Sequence, residues 1–245
     1  MHNKVEIRII GMQRSGNHPI IDWIASMLPD KSCVLNFVNG PNPLEHHIKK
    51  EDILIGLTLN EILTANKEYL VYNYEDETIS EIFNKNRNEN IIGTSDKKFD
   101  VLILRDPYNL FASRIKRGSV KLGHKTTEQQ LILRKLWIEC ANEALNKTNN
   151  LTQNKTVILF NKWFVDEDYR KELAEKFGLK YNDKTLNTVS KVGAGSSFNG
   201  FNYQNRAKDM KVLERYKELN NEGTYSKLLI PEIKELSKKI FGEVI

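Results

Sequence analysis

A short loop near the amino terminus has the layout of an anion-binding site. In the stretch IRIIGMQRSGNHPIIDWI, apolar, β-prone residues stop at Gly11 and an amphipathic helical pattern begins at about Pro19. Gly11 and Gly16 have the spacing of the two glycines in a nucleotide-binding loop. Such glycines let backbone N–H groups close around an anion at a helix N-terminus, where the helix dipole favours negative charge. The loop predicts an anion site with Arg14 as its cation; the alternative is an ordinary strand–turn–helix connection with a surface arginine.

The residues after the second glycine argue against nucleoside-triphosphate chemistry. A triphosphate-binding loop continues with Lys and then with Ser or Thr, whose hydroxyl group holds Mg²⁺. Here Gly16 is followed by Asn17 and His18, and the basic residue Arg14 precedes the glycine. The loop therefore disfavours a site for a magnesium-bound triphosphate.

A second basic position follows a predicted strand in the stretch VLILRDPYNLFAS. Arg105 stands at the end of the strand, and Ser113 lies about two turns into the following helix. Ligands of open α/β sheets bind at the carboxyl ends of parallel strands. Arg105 and Ser113 are therefore expected at the same edge of the sheet as the glycine-containing loop.

The elements that must position these residues are short strands alternating with helical patterns. The predicted strands are Val5–Ile10, Cys33–Val38, Tyr69–Tyr74, Asp100–Leu104 and Thr156–Phe160. The predicted helices are Pro19–Leu28, Ile79–Asn86, Tyr108–Arg117, Glu128–Leu145 and Tyr169–Phe177. Near-continuous apolar strands in such an alternation predict a three-layer α/β fold, like that of P-loop NTPases, with helices on both faces of a central, mostly parallel sheet. At 245 residues, a single domain spanning 1–245 is expected.

Composition narrows the class of protein. The formal net charge is +5, which fits an anionic ligand or a weak, non-specific attraction to nucleic acid. The two cysteines, Cys33 and Cys140, form no disulfide framework, and no Cys/His cluster has metal-ligand spacing. No apolar run is long enough to span a membrane. A strand pattern that begins at Val5 leaves no room for a signal peptide, so a cytoplasmic protein without a metal site is expected.

The two anion-site candidates together resemble the sulfotransferases that use 3′-phosphoadenosine-5′-phosphosulfate (PAPS). In that family an Arg at a strand end, in an Arg-Asp-Pro context, and a Ser eight residues later bind the 3′-phosphate; Arg105 and Ser113 match them. The family's 5′-phosphosulfate loop has a basic residue followed by Ser, Gly and small polar residues. Its counterpart here is formed by Arg14, Ser15, Gly16, Asn17 and His18. The resemblance implies PAPS as the sulfuryl donor, PAP as the product, and no metal.

Later segments match the family in the same order along the chain. VILFNKWF resembles a segment that passes near the adenine, with Phe160 in the position of an aromatic residue. GAGSSFNG resembles a Ser-Phe segment that packs on the adenine, with Ser196 and Phe198 matching. Two features depart from the pattern. Pro19 stands where cytosolic members have a tryptophan, and the family's late Arg-Lys-Gly loop has no clear counterpart.

Arg206 and Lys208 are basic and late enough in the chain to replace that loop. The preferred interpretation is that they are solvated charges.

Sulfuryl transfer also needs a group that accepts the acceptor's proton. Glu75 is the first choice because it follows the strand YLVYNY, where the resemblance implies a catalytic base. Asp76 is the neighbouring alternative. His46 and His47 follow the second strand, near where acceptors enter in the family, and are almost as good candidates. Arg14 is expected to stabilise charge on the departing oxygen.

The resemblance thus implies a sulfotransferase that acts on a hydroxyl group or amine of a small-molecule or saccharide acceptor. Nucleic acid is not expected as a partner, and the oligomeric state is left open. The loops at 39–51 and 118–127 are expected to select the acceptor. Two alternatives remain open at this stage. One is a nucleotide-dependent kinase with a degenerate loop, and the other is a non-catalytic nucleotide-binding protein.

Overall fold

The computed structural model describes residues 2–36, 38, 61, 64–84, 92–118, 127–191, 195–219 and 223–243. Its five strands are β1 (His2–Gly11), β2 (Cys33–Leu35), β3 (Lys67–Glu75), β4 (Thr94–Leu104) and β5 (Thr156–Leu159). The helices are α1 (Asn17–Ala25), α2 (Ile79–Asn84), α3 (Pro107–Lys116), α4 (Glu128–Ala144), α5 (Phe160–Val165), α6 (Glu167–Phe177), α7 (Gly223–Leu228) and α8 (Pro231–Phe241). Two short 3₁₀ helices span Ala207–Asp209 and Arg215–Glu218.

The strands form one sheet in the order β2-β3-β1-β4-β5, and every neighbouring pair is parallel. Successive side chains of a strand point to opposite faces, and both faces of this sheet are buried. On one face Ile7 and Ile9 pack with apolar residues of α1, α5 and α6. On the other face Ile10 and Leu102 pack with residues of α2, α3, α4, α7 and α8. This arrangement confirms the predicted three-layer α/β fold.

The register of the sheet brings the ends of three strands to one level. Gly11, the last residue of β1, lies opposite Glu75 on β3 and Ile103 on β4. Arg105 follows β4 directly, so it emerges beside the loop that leaves β1. The parallel pairing therefore gathers the loop, Glu75 and Arg105 at one edge, as the sequence predicted.

The segment after β5 differs from the prediction. Phe160 was expected to end a strand, but the strand ends at Leu159 and Phe160 begins α5. The reason lies in packing. The Phe160 ring lies against Gly16 in the first loop and stacks on Trp163 one turn later, with ring centroids 6.0 Å apart. A helical turn at this point directs both aromatic rings into the core beneath the loop.

The C-terminal helix α8 was not among the predicted elements. It begins with Pro231 at its first turn, a position where proline is favoured in helices, and buries Ile233 and Leu236 on one face. Its hydrophobic face packs on α4 and covers the sheet face opposite α1.

Gly16→Ala is expected to destabilise the protein more than Gly118→Ala. Both glycines have positive φ, 95° and 79°, so each substitution carries a backbone cost of roughly 1–2 kcal/mol. At Gly118 an added Cβ meets no atom within 4 Å, whereas at Gly16 it would lie 2.1 Å from the Phe160 ring. The steric overlap should cost Gly16→Ala about 1–3 kcal/mol of unfolding free energy beyond the loss seen in Gly118→Ala, as measured by urea unfolding of both variants. Equal losses would show that the Phe160 ring moves away without cost.

Candidate functional site

The first loop connects β1 to α1 in a tight turn. Ser15 is buried, and its N–H donates to the carbonyl of Met12 at 3.0 Å. Arg14 and Gly16 both have positive φ, 72° and 95°. Gly16 is the residue before α1 and supplies no side-chain cap, so the first N–H groups of α1 face the loop without one. The loop therefore has the backbone geometry of an anion-binding turn.

Asn17 explains why the first glycine is required. Its side-chain N–H donates to the carbonyl of Met12 at 3.1 Å and to Glu75 Oε1 at 2.8 Å. A Cβ on Gly11 would lie 2.3 Å from Asn17 Oδ1. The absence of a side chain at Gly11 thus makes room for the amide group that links the loop to β3.

Arg105 is almost completely buried, at 2 % exposure. Its Nη1 donates to the carbonyl of Arg14 at 3.0 Å and to Ser113 Oγ at 3.3 Å, and its Nη2 donates to the carbonyl of Val212. Its Nε is buried without a hydrogen-bond partner. Burial lowers the pKa of Arg105 to about 10. The predicted pairing of Arg105 with Ser113 is therefore present, and the guanidinium retains an unused donor.

Arg215 is a site residue that the sequence did not reveal. It lies in the 3₁₀ helix Arg215–Glu218, where its Nη1 donates to Ser113 Oγ at 3.2 Å and its Nη2 to Ser196 Oγ at 3.0 Å. Burial, reinforced by Arg105 and Arg14, lowers its pKa to about 8. Its segment, KVLERYKEL, is rich in charged residues and does not set this arginine apart from the others. The late basic residues that the sequence suggested were Arg206 and Lys208.

Arg206 and Lys208 lie outside this cluster. Both side chains are exposed, and the Arg206 guanidinium stands 5.4 Å from the Tyr203 ring. Their position agrees with the preferred interpretation of solvated charges. Arg215 is thus the late basic residue that reaches Ser113.

The segment 195–200 covers the arginines. The Gly195 carbonyl accepts from Arg14 Nη2 at 2.9 Å, and Ser196 Oγ accepts from the N–H groups of Phe198 and Asn199 as well as from Arg215. The Phe198 ring lies 5.1 Å from the Arg215 guanidinium. Ser196 and Phe198 are therefore brought to the predicted site, where they contact the arginine that the sequence missed.

Phe160 lies on the other side of Arg105. Its ring is buried between Gly16 and Trp163, and the Arg105 guanidinium stands 4.9 Å from the ring centroid. The ring thus contacts the first loop and the second basic position together.

Three arginines from distant parts of the chain meet here: Arg14, Arg105 and Arg215. Within the described residues, the hydrogen bonds of Arg105 and Arg215 go to hydroxyl and carbonyl oxygens. Burial is the largest cause that lowers each of the three pKa values, and neighbouring arginines lower each of them further. Nearby carboxylates oppose the change: Glu75 for Arg14, Asp106 for Arg105 and Glu218 for Arg215. Such desolvated, mutually repelling cations would be stabilised by an anion.

Glu75 is the buried carboxylate of the site. Besides the hydrogen bond from Asn17, its Oε1 lies 3.8 Å from His18 Nε2. Burial is the main cause that raises the pKa of Glu75 to about 7; Asp76 contributes in the same direction, whereas Asn17, Arg114 and Arg14 oppose the change. A carboxyl group with this pKa can exchange a proton near neutral pH.

Asp76 makes different contacts from Glu75. Its φ is 60°, its Oδ1 accepts from the N–H of Gln13 at 2.9 Å, and its Oδ2 pairs with Arg114 Nη1 at 2.6 Å. Both oxygens therefore connect the first loop to α3. This makes Asp76 a structural link rather than the free base considered as an alternative.

Other expectations concern parts that the structure does not describe. His46 and His47 lie outside the described residues, as does most of the 118–127 loop. Within the described residues, no group of three or more His, Cys, Asp or Glu side chains could hold a metal ion. No helix in that part of the chain is long and apolar enough to cross a membrane.

Comparison with known proteins identifies the fold. No protein-family model matches the chain, and no curated protein matches its sequence. Among solved structures, a sulfotransferase domain from the curacin biosynthetic pathway is similar with a TM-score of 0.52 at 12 % identity, over 97 % of both chains. The mouse sulfotransferase SULT7A1 complexed with PAP gives a TM-score of 0.43 at 12 % identity, over 96 % of this chain and 84 % of that one. The similarity to the curacin-pathway domain shows that the chain has the fold of a sulfotransferase domain.

Glu75→Gln is expected to stabilise the protein at pH 8 but not at pH 4.5. A carboxyl group whose pKa is raised in the folded state contributes least to the free energy of unfolding when it is ionised. The wild type therefore loses stability as pH rises through about 7. The glutamine keeps an oxygen for the Asn17 amide and carries no charge. The gain in the free energy of unfolding should reach roughly 3 kcal/mol at pH 8, as measured by denaturant unfolding across this pH range. A gain that is independent of pH would show that Glu75 titrates normally.

Proposed function

We propose that the protein is a PAPS-dependent sulfotransferase that transfers a sulfuryl group to a hydroxyl group or amine of a small-molecule or saccharide acceptor. The observation that carries the proposal is the buried cluster of Arg105, Ser113 and Arg215 beside the Arg14 loop, on a sulfotransferase fold. The buried cluster and the Arg14 loop are joined by the hydrogen bond from Arg105 to the Arg14 carbonyl. A ligand with two separate anionic groups matches this arrangement.

The buried cluster of Arg105, Ser113 and Arg215 fits a phosphate group. Two guanidinium groups converge on one hydroxyl oxygen, and Arg105 Nε is a buried donor without a partner. A phosphate accepts several charge-assisted hydrogen bonds at once and would offset the cost of burying the arginines. In this proposal Arg105, Ser113 and Arg215 hold the 3′-phosphate of PAPS.

The first loop fits the phosphosulfate end. Arg14, Ser15, Gly16, Asn17 and His18 would surround it. Gly11 and Gly16 are required in this loop because a Cβ there would collide with Asn17 and Phe160, respectively. When bound, PAPS supplies an activated sulfuryl group. Arg14 and the N-terminus of α1 would neutralise the charge that develops on the departing phosphate oxygen.

The remaining roles follow from position. Phe160 and Phe198 are proposed to border the adenine, since each ring lies beside one of the arginines. Ser196 is proposed to orient Arg215. Glu75 is proposed as the final acceptor of the proton released by the acceptor, because its pKa of about 7 suits proton transfer at neutral pH. His46 and His47 remain candidates from the sequence alone.

The same site gives little support to the rival functions. A kinase loop needs a Lys and a Ser or Thr after Gly16, and Asn17 instead binds Glu75. A protein that binds the nucleotide without catalysis would not need a buried carboxyl group beside the loop. Burying it costs stability, which favours an enzyme.

Transfer of radiolabel from PAPS to a panel of phenols, alcohols, amines and saccharides tests the activity directly. The wild type is expected to label at least one acceptor class without added metal, and Glu75→Gln to do so roughly 100-fold more slowly, because the base is lost. Asp96→Asn, at the exposed amino-terminal part of β4, serves as a control. Binding of PAP without labelling of any acceptor would favour the non-catalytic alternative.

Arg215→Ala and Arg105→Ala are expected to weaken PAP binding by roughly 1.5–3 kcal/mol each, because each removes charge-assisted hydrogen bonds. Calorimetry should find the affinity for adenosine 5′-phosphate nearly unchanged, since that ligand has no 3′-phosphate. Arg206→Ala removes an exposed arginine from the same part of the chain and is the matched control. Equal losses for both ligands in a folded Arg215→Ala variant would refute the assignment.

A further inference from the structure

We propose that His18 relays the acceptor's proton to Glu75, so that the imidazole touches the acceptor and the carboxylate receives the proton from behind it. The inference rests on the proposed sulfotransferase function and assigns His18 a catalytic role beyond its place in the phosphosulfate loop.

The His18 side chain is more accessible than that of Glu75. The Glu75 side chain is 4 % exposed, and its Oε1 already accepts a hydrogen bond from Asn17. The His18 side chain is 19 % exposed and directs Nε2 at the same oxygen from 3.8 Å. An acceptor molecule can therefore reach the imidazole more readily than the carboxylate.

The His18 imidazole presents Nε2 to Glu75 and leaves Nδ1 for the acceptor. With Nε2 facing Glu75, that nitrogen is the natural position for the proton of the neutral ring. The other nitrogen, Nδ1, has no hydrogen-bond partner among the described residues and is left as the proton acceptor. The distance to Glu75 must shorten by roughly 1 Å for direct transfer, as happens to catalytic hydrogen bonds when a ligand binds.

The charges around the pair set the direction of transfer. His18 faces Arg14 from the loop and Glu75 from β3; Glu75 also faces Arg14, Asp76, and Arg114 from α3. Burial, and then the charge of Arg14, lower the pKa of His18 to about 4, whereas burial raises the pKa of Glu75 to about 7. A stable imidazolium beside Arg14 is disfavoured, so the proton comes to rest on Glu75.

The proposed relay moves one proton from the acceptor to Glu75 as the sulfuryl group is transferred. The acceptor's O–H bond breaks as its oxygen forms a bond to sulfur, and His18 Nδ1 takes the proton. His18 Nε2 releases its own proton to Glu75 Oε1, which leaves a neutral imidazole and a neutral carboxylic acid. The bond between sulfur and the bridging phosphate oxygen breaks, and its electron pair stays on that oxygen, next to Arg14.

Nitrogen-15 NMR of the histidine rings tests the relay without an acceptor. At pH 7 the His18 ring is expected to be neutral with the proton on Nε2, and its signals should follow a titration near pH 7 that disappears in Glu75→Gln. His18→Gln identifies the signals, and His2→Gln is the control, because His2 pairs with Asp96 at 3.1 Å at the other end of β1. A ring protonated on Nδ1, or a titration unchanged in Glu75→Gln, would overturn the proposal.

The same sample separates this proposal from the function on which it rests. If calorimetry shows PAP binding and the NMR signals do not respond to Glu75→Gln, the relay is wrong and the proposed function stands. If the pair behaves as expected and PAP does not bind, the proposed function fails.

Acceptors of different acidity supply a kinetic test. His18→Gln should slow transfer to an alcohol roughly 100-fold, the typical contribution of proton transfer. Transfer to p-nitrophenol, which is already ionised at pH 8, should change much less, and PAP affinity should be retained. Equal losses for both acceptors would assign His18 to phosphosulfate binding alone.

Discussion

Burial of Arg105 and Arg215 beside the half-buried Arg14, at one edge of the sheet, is the constraint on which the rest of the site depends. Desolvating a guanidinium is costly, and placing three together adds mutual repulsion. For Arg105 and Arg215 the hydrogen bonds seen in the described residues go to neutral oxygens, so their charge is only partly compensated. The fold tolerates this because a large core surrounds the sheet on both faces. A site of this kind is built to be completed by an anion, which would return part of the stability that the unliganded state lacks.

Burial at this edge of the sheet also raises the pKa of Glu75, the candidate base. Glu75 is held in place by the Asn17 amide, and its raised pKa results mainly from the loss of water around it. The loop that would bind an anion and the carboxyl group that would accept a proton are thus joined by one side chain. Asp76 fixes the other side of the loop through Gln13 and Arg114. A change in the loop must therefore affect both the anion site and the base.

Much of this could be predicted from the sequence, because local rules governed it. The order of strands and helices, the loop between Gly11 and Gly16, and the proximity of Arg105 to Ser113 follow from apolar runs and from spacing within one strand–helix unit. Arg215 could not be found in this way, because it meets Ser113 across 102 residues and lies in a short 3₁₀ helix without a repeating pattern. Phe160 was placed at a strand end because a single position cannot show whether an aromatic residue packs along the strand or turns beneath a loop. The raised pKa of Glu75 depends on burial, which no spacing reveals.

The central claim is that Arg105, Ser113 and Arg215 form a phosphate site distinct from the Arg14 loop. A crystal structure of the protein with PAP would test it most directly. The account predicts the 3′-phosphate within hydrogen-bonding distance of those three side chains, and the 5′-phosphate at the N-terminus of α1. Density for PAP elsewhere, or a nucleotide whose 3′-phosphate faces solvent, would contradict the account.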